Sequence, residues 1–303
     1  MPPLTTGSDM PLSQAARADL LLVIVTLIAA AGWVFSRESL QGLPPLLFMG
    51  IRFLIAGSLL LYLGRQALPQ LREQGRLKRV LALGFVMAFA MLCWILGLNS
   101  GTPLGEGAFI TSMGVVLVPL MSWIVLRERA VLTVWLSVPV AALGLGLLSL
   151  NNGFQVHPGQ GWFFASAVLF SLHYTLIGRF ASRIPTLVLT ATQLLMVAVV
   201  VFSASILFET WPKAVTATTV GWLLASALIA TSLRFSLQTR AQGLADPSHV
   251  AVIMVLEPVW VGLLGWGWYG EVMTGQQLTG CGLILVAMLI ARWQGIRGLF
   301  FRA

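Results

Sequence analysis

The sequence predicts an all-α integral membrane protein, with ten transmembrane helices arranged as two five-helix repeats of inverted topology. Three observations lead there. The 303 residues are 58% hydrophobic and 9% charged, with a mean hydropathy of +0.90, whereas soluble domains are about a quarter charged. Ten apolar stretches follow one another, each near the ~20 residues needed to cross a bilayer: Leu20–Ser36, Pro45–Leu63, Val80–Leu98, Pro103–Leu126, Val131–Leu150, Gly161–Gly178, Pro185–Phe208, Val220–Gln238, Pro247–Gly267 and Gln276–Ala291. Finally, of the eighteen Lys and Arg residues, fourteen fall on one alternating set of loops and tails. Arg37 and Lys213 fall on the other, and Arg52 and Arg234 lie within spans. Such asymmetry marks the cytoplasmic side, so an even number of spans with both termini cytoplasmic is expected.

Residues 1–18, with their prolines, Ser, Thr and Gly, read as a disordered lead. The apolar run ending in Ala29-Ala30-Ala31 imitates a signal peptide. It lacks a basic leading region, since Arg17 sits beside Asp19, and it is taken as the first span. Span 2 opens on Pro44-Pro45, which suits a helix start, and carries Arg52. The basic loop from Arg65 to Arg79 is expected to meet anionic headgroups. Span 3 holds Cys93 and Trp94. Span 4 begins with Thr102 as the expected N-cap, Pro103 at the first helical position and Glu106 placed to complement the helix dipole. Pro119 then removes an amide donor and should kink the helix. Gly144 and Gly146 in span 5 should let a neighbour approach closely. After the turn Asn151-Asn152-Gly153, span 6 brings His173-Tyr174, span 7 Gln193, span 8 Arg234, and span 9 Glu257-Pro258 with Trp260 behind it.

The second half echoes the first at an offset of about 140 residues: Gln193 answers Arg52, Tyr174 answers Trp33, Pro258 answers Pro119 and Glu271 answers Glu128. Five spans per half force the halves to enter from opposite sides, giving an inverted repeat with residues 19–150 as the first unit and 159–293 as the second. A basic tail, 294–303, follows.

Arg52-Phe53, Pro119 followed by Arg127-Glu128-Arg129, Glu257-Pro258 followed by Glu271, and Gly144 with Gly280 carry a resemblance. The chain resembles the drug/metabolite transporter superfamily, in particular its EamA-type ten-helix members over about Asp19 to Trp293, and among them most the YddG-type exporters of aromatic and other neutral amino acids. The resemblance implies a secondary transporter of the bacterial inner membrane, working by alternating access on a small-molecule substrate. The first repeat departs by having Val118 where the second has Glu257, which leaves the site asymmetric.

A carboxylate within a span is costly, about 2.5–3.5 kcal/mol on insertion scales, and must face protein or water. Glu257 is thus a candidate for substrate ammonium, for a proton, or for the backbone groups that Pro258 frees. Trp33, Trp94, His173, Tyr174, Arg234, Glu257 and Trp260 form the expected substrate-binding set, with Arg234 for a carboxylate and the rings for an aromatic group. Arg52, Glu106, Pro119, Gln193 and Pro258 are expected to be structural or gating, with a buried Arg52–Glu106 pair. Seven other tryptophans fall near span ends, where interfacial belts place them.

Other functions fit less well. No phosphate-binding G-x-x-x-x-G-K-[ST] loop occurs, so ATP is not the direct energy source, and no G-x-S-x-G or H-E-x-x-H motif supports an intramembrane enzyme. No His, Cys or carboxylate cluster stands at metal spacing, and neither cofactor nor nucleic acid is expected. An efflux pump for drugs or quaternary ammonium ions, using Glu257 and cation–π attraction to tryptophan, is the alternative within the transporter class.

Overall fold

The computed structural model describes residues 14–72, 75–128, 132–149, 157–180, 184–242, 250, 253–291 and 293, and among them every regular element is helical. The principal helices are α1 (Gln14–Ser39), α2 (Pro45–Leu63), α3 (Arg76–Asn99), α4 (Leu104–Ser112), α5 (Gly114–Leu126), α6 (Leu132–Ser149), α7 (Pro158–Phe180), α8 (Thr186–Phe208), α9 (Ala217–Leu224), a π-helical segment Ala225–Leu233, α10 (Arg234–Gln242), α11 (Glu257–Tyr269) and α12 (Gly275–Ala291). Among the described residues, seven helical stretches are long and apolar enough to cross a membrane: Arg17–Ser39, Pro45–Leu63, Arg76–Asn99, Leu104–Leu126, Pro158–Arg179, Thr186–Phe208 and Ala217–Ala241. Shorter apolar helices stand at Trp135–Leu148 and Gly275–Ala291. Large apolar side chains such as Phe85, Phe89, Leu143, Val199, Leu207 and Leu278 are exposed along these helices, as lipid-facing residues must be.

Helices approach closely where glycine removes the side chain. A Cβ added to Gly144 of α6 would stand 2.7 Å from the Gly280 carbonyl oxygen of α12, and one added to Gly280 would stand 2.7 Å from that of Gly144, so the two backbones touch. Gly146, expected to share this role, meets nothing within 4 Å, because a two-residue step turns it to another face of the helix. Gly50 and Gly57 of α2, one heptad apart, receive Phe202 and Leu195 of α8 in the same manner. Phe48, Met49, Phe53 and Leu194, from the same two helices, belong to the buried core.

Both expected interruptions exist, one at Glu257-Pro258 as read and the other upstream of Pro119. The helix containing Pro119 breaks at Met113, six residues before the proline, and Pro119 lies inside α5. At the break, Gly114 packs on the Ala167 backbone; its Cβ would stand 3.0 Å from that carbonyl oxygen. At Glu257-Pro258 a helix begins: after a single 3₁₀ turn, Met254–Leu256, Pro258 occupies the first turn of α11, where its missing N–H costs nothing. Thr102 does not cap α4. Pro103 takes the cap position and Thr102 Oγ1 bonds Ser100 Oγ. The α4 end is instead satisfied from outside, by Glu271 Oε2, which accepts from Leu104 N–H at 2.8 Å.

Two helix ends match across the chain. Arg127 (φ 56°) follows α5 and Gly270 (φ 65°) follows α11, both left-handed. In each case the next amide bonds a carbonyl six residues back, Glu128 N to Ser122 O and Glu271 N to Gly265 O.

Candidate functional site

A cavity of about 750 Å³ lies between the helices, lined from α1 by Ala29, Gly32 and Trp33, from α3 by Met87, Met91 and Trp94, and from the α4–α5 break by Thr111, Ser112 and Gly114. The α7 wall is Phe170, His173, Tyr174 and Ile177, the α8 wall Thr186, Leu189, Thr190 and Gln193, and α10–α11 supply Arg234, Phe235, Gln238, Thr239 and Glu257. The lining thus runs from Trp33, Trp94 and Ala108 at one end to Ile184, Thr186 and Thr239 at the other. Its small-residue stretches come from sequence: Gly32 lets α1 meet the π segment, since its Cβ would stand 2.8 Å from Cβ of Ala230.

The only ion pair among the described residues that faces this space joins Arg234 and Glu257, with Arg234 Nη2 donating to Glu257 Oε2 at 3.4 Å. About a quarter of each side chain is exposed. Trp33 Nε1 reaches Glu257 Oε1 at 3.5 Å. Arg234 Nε and Gln238 Oε1, one helical turn apart, are buried without a hydrogen-bond partner. The pair is long and incompletely satisfied, with a free donor on one side of it. Tyr174 is 54% exposed although it sits mid-helix, since it faces the cavity.

Beyond the tryptophans the assembly closes. Trp33 meets Trp94 edge-on at 4.9 Å between ring centres and Phe163 at 5.7 Å. Past this aromatic layer, Arg37 pairs with Glu271, whose other oxygen takes the Leu104 amide, and lies over the Tyr269 ring at 4.5 Å. Tyr269 donates to Glu38 Oε1 at 2.7 Å. On the same side, Gln160 Nε2 donates to Glu106 Oε1, and Glu209 accepts from the Leu46 and Leu47 amides at 2.8 and 2.9 Å, capping α2 from α8. One end of the cavity is therefore latched by carboxylates that bridge separate segments.

Six of the seven expected substrate-binding residues converge here: Trp33, Trp94, His173, Tyr174, Arg234 and Glu257 line the cavity. Trp260 does not. Three residues beyond Glu257 on α11, it turns toward α1, where its Nε1 donates to Thr26 Oγ1 at 3.2 Å. Gln193 and Arg52 also reach the lining. The Arg52–Glu106 pair is absent: Arg52 Nε donates to Thr231 Oγ1 at 3.0 Å and Nη1 to Ser36 Oγ at 2.9 Å, while Glu106 is held by Gln160. Thr231 lies in the π segment and bonds the Ser226 carbonyl five residues back. That local widening, common at functional sites, leaves no signal in an apolar sequence. Glu271, Gln160 and Glu209 were also missed, because each sits in a loop or near a helix end where polarity is ordinary.

A helical membrane protein enclosing a charge-bearing chamber between its helices, latched at one end, is built as a carrier. The profile of the EamA-like transporter family matches residues 16–150 and again 157–293, and the chain belongs to that family. It is 28% identical over 274 residues to an uncharacterized transporter of Archaeoglobus fulgidus (90% of this chain, 85% of the relative). To the uncharacterized transporter YvbV of Bacillus subtilis it is 29% identical over 185 residues, 59% of each chain. A solved crystal structure superposes with a TM-score of 0.63 at 22% identity, covering 94% of this chain and 99% of that one, a likeness of fold. The protein is a multi-pass membrane transporter.

Proposed function

We propose that this transporter carries aromatic and other neutral amino acids out of the bacterial cell across the inner membrane, by alternating access, as a ten-span protein of two inverted repeats with cytoplasmic termini. The observation that carries the substrate class is the Arg234–Glu257 pair: opposite charges 3.4 Å apart, both open to a cavity whose walls include Trp33, Trp94, Phe170 and Tyr174. A zwitterion entering between them gives its carboxylate to Arg234, which has an unused Nε, and its ammonium to Glu257. The ring of the substrate then finds aromatic partners. A cavity of about 750 Å³ lies within the ~300–1,000 Å³ range of small-molecule sites.

Packing supports the repeat. Contacts join α2 with α8, α6 with α12 and α4 with α11, and the α3–α7 contact is matched by that of α1 with the π segment and α10. A two-fold axis relating the halves pairs equivalent helices in this way, and the paired Arg127 and Gly270 helix ends agree with it. The cavity reaches toward Thr186 and Thr239, the side that carries the excess of basic residues and is therefore assigned to the cytoplasm. In this conformation the chamber loads from inside while the carboxylate latch seals the outside. The bilayer and the substrate are the partners this mechanism needs.

The organic-cation alternative draws on the proximity of Trp33 to Glu257. Arg234 on the same carboxylate opposes a cation there. Counterflow into liposomes with labelled tyrosine, phenylalanine, leucine and tetraphenylphosphonium tests the choice: amino-acid accumulation without ATP is expected, and flux of the cation alone would overturn the assignment.

A further inference from the structure

In the same cavity as the charged pair, a neutral polar group stands unused. His173 of α7 and Gln193 of α8 both line the chamber, and each is only 3% exposed. The two side chains lie within reach of each other but not at hydrogen-bonding geometry. Both ring nitrogens of His173 and Nε2 of Gln193 lack a hydrogen-bond partner. Buried polar atoms are nearly always paired, and an unpaired one destabilises the fold. Unpaired atoms on two adjacent residues that line a binding chamber point to a ligand that pairs some of them.

The donor and acceptor inventory narrows that ligand. A neutral imidazole offers one N–H and one bare nitrogen, and the Gln193 amide nitrogen offers N–H donors. A partner must therefore both accept and donate at one point, which is the property of a hydroxyl. The setting is aromatic: Tyr174 lies 5.6 Å from the His173 ring, and Phe170 stacks on Tyr174 at 6.0 Å. We propose that His173 and Gln193 form a second polar subsite in the cavity, which takes the hydroxyl of a phenolic ring, accepting its proton at a His173 nitrogen and donating to its oxygen from Gln193 Nε2. The idea deepens the amino-acid reading, in which tyrosine is then preferred over phenylalanine, but the subsite itself depends only on the chamber admitting a ring.

Its test uses p-cresol and toluene, which differ by the hydroxyl alone, as ligands of the purified full-length protein, with tryptophan fluorescence as readout because Trp33 and Trp94 line the chamber. A site that hydrogen-bonds a hydroxyl discriminates against the analogue lacking it. The wild type is expected to bind p-cresol about 10-fold more tightly than toluene, beyond the difference expected from their partition into detergent, and to transport tyrosine in preference to phenylalanine. In His173→Phe, and separately in Gln193→Leu should the first fail to fold, both preferences are expected to collapse toward unity. Equal binding of the two ligands by the wild type, or preferences unchanged in the variants, overturns the subsite and leaves water as the partner of these groups. Retained p-cresol preference with no amino-acid flux would keep the subsite and refute the amino-acid assignment instead.

Discussion

Replacing Glu271 by glutamine probes the latch that seals one end of the chamber. The carboxylate bonds Arg37 with one oxygen and the Leu104 amide at the start of α4 with the other. Side-chain exposures of 26% and 13% mean that the Arg37–Glu271 pair is partly screened, so about 1 kcal/mol is a fair contribution. A negative charge at the N-terminus of α4 adds about 0.3–1 kcal/mol. Glutamine keeps an oxygen for the Leu104 amide but loses both charge terms, a loss of roughly 1.3–2 kcal/mol from the closed state. At ~1.4 kcal/mol per tenfold, the closed-to-open ratio at that end falls about 10- to 30-fold. The assay is labelling of Thr111→Cys, a cavity residue, by an impermeant maleimide applied to intact cells, with the two native cysteines, Cys93 and Cys281, replaced by alanine. Slow labelling in the parent and severalfold faster labelling in Glu271→Gln is expected, and Arg37→Gln should act in the same direction. Unchanged labelling in a well-folded Glu271→Gln protein would show that these contacts do not hold the chamber shut.

Two further predictions concern the frame. Gly144→Ala sets a methyl group 2.7 Å from the Gly280 carbonyl oxygen and should cost about 1–3 kcal/mol as overpacking; thermal unfolding in detergent checks it, and an unchanged or raised Tm refutes the close approach. Arg127 holds φ 56°, where a side chain costs about 1–2 kcal/mol relative to glycine, so Arg127→Gly should raise Tm whereas Gly270→Ala lowers it, and effects of equal sign would contradict the matched helix ends.

The membrane class was readable because lipid constrains composition and charge over long stretches, and the convergence of Trp33, Tyr174, Arg234 and Glu257 was readable because polar residues within such stretches stand out. Trp260 was misplaced because the rotation of α11 depends on its start at Glu257, which the apolar run does not mark. Pro119 is the breaker visible in sequence, whereas the break at Met113 lies where Gly114 packs on Ala167, a contact that only the fold brings about. The partners of Arg52 were hidden for a similar reason. Thr231 and Ser36 are common helix residues, and only the π segment and the packing of α1 bring them to the guanidinium. The carboxylate latch joins Arg37, Glu271 and Leu104 from distant parts of the chain, and periodicity carries no such information.

The central claim is that Arg234 and Glu257 together receive a zwitterion. It is tested most directly by competition in proteoliposomes: inhibition of labelled phenylalanine counterflow by unlabelled phenylalanine, by phenethylamine, which lacks the carboxylate, and by 3-phenylpropionate, which lacks the ammonium. The account predicts that phenylalanine competes at least about 10-fold better than either, since each charge-assisted contact is worth ~1.5–3 kcal/mol, and that Arg234→Gln removes the advantage of phenylalanine over phenethylamine. Phenethylamine competing as well as phenylalanine in the wild type would contradict it and would assign the chamber to organic cations.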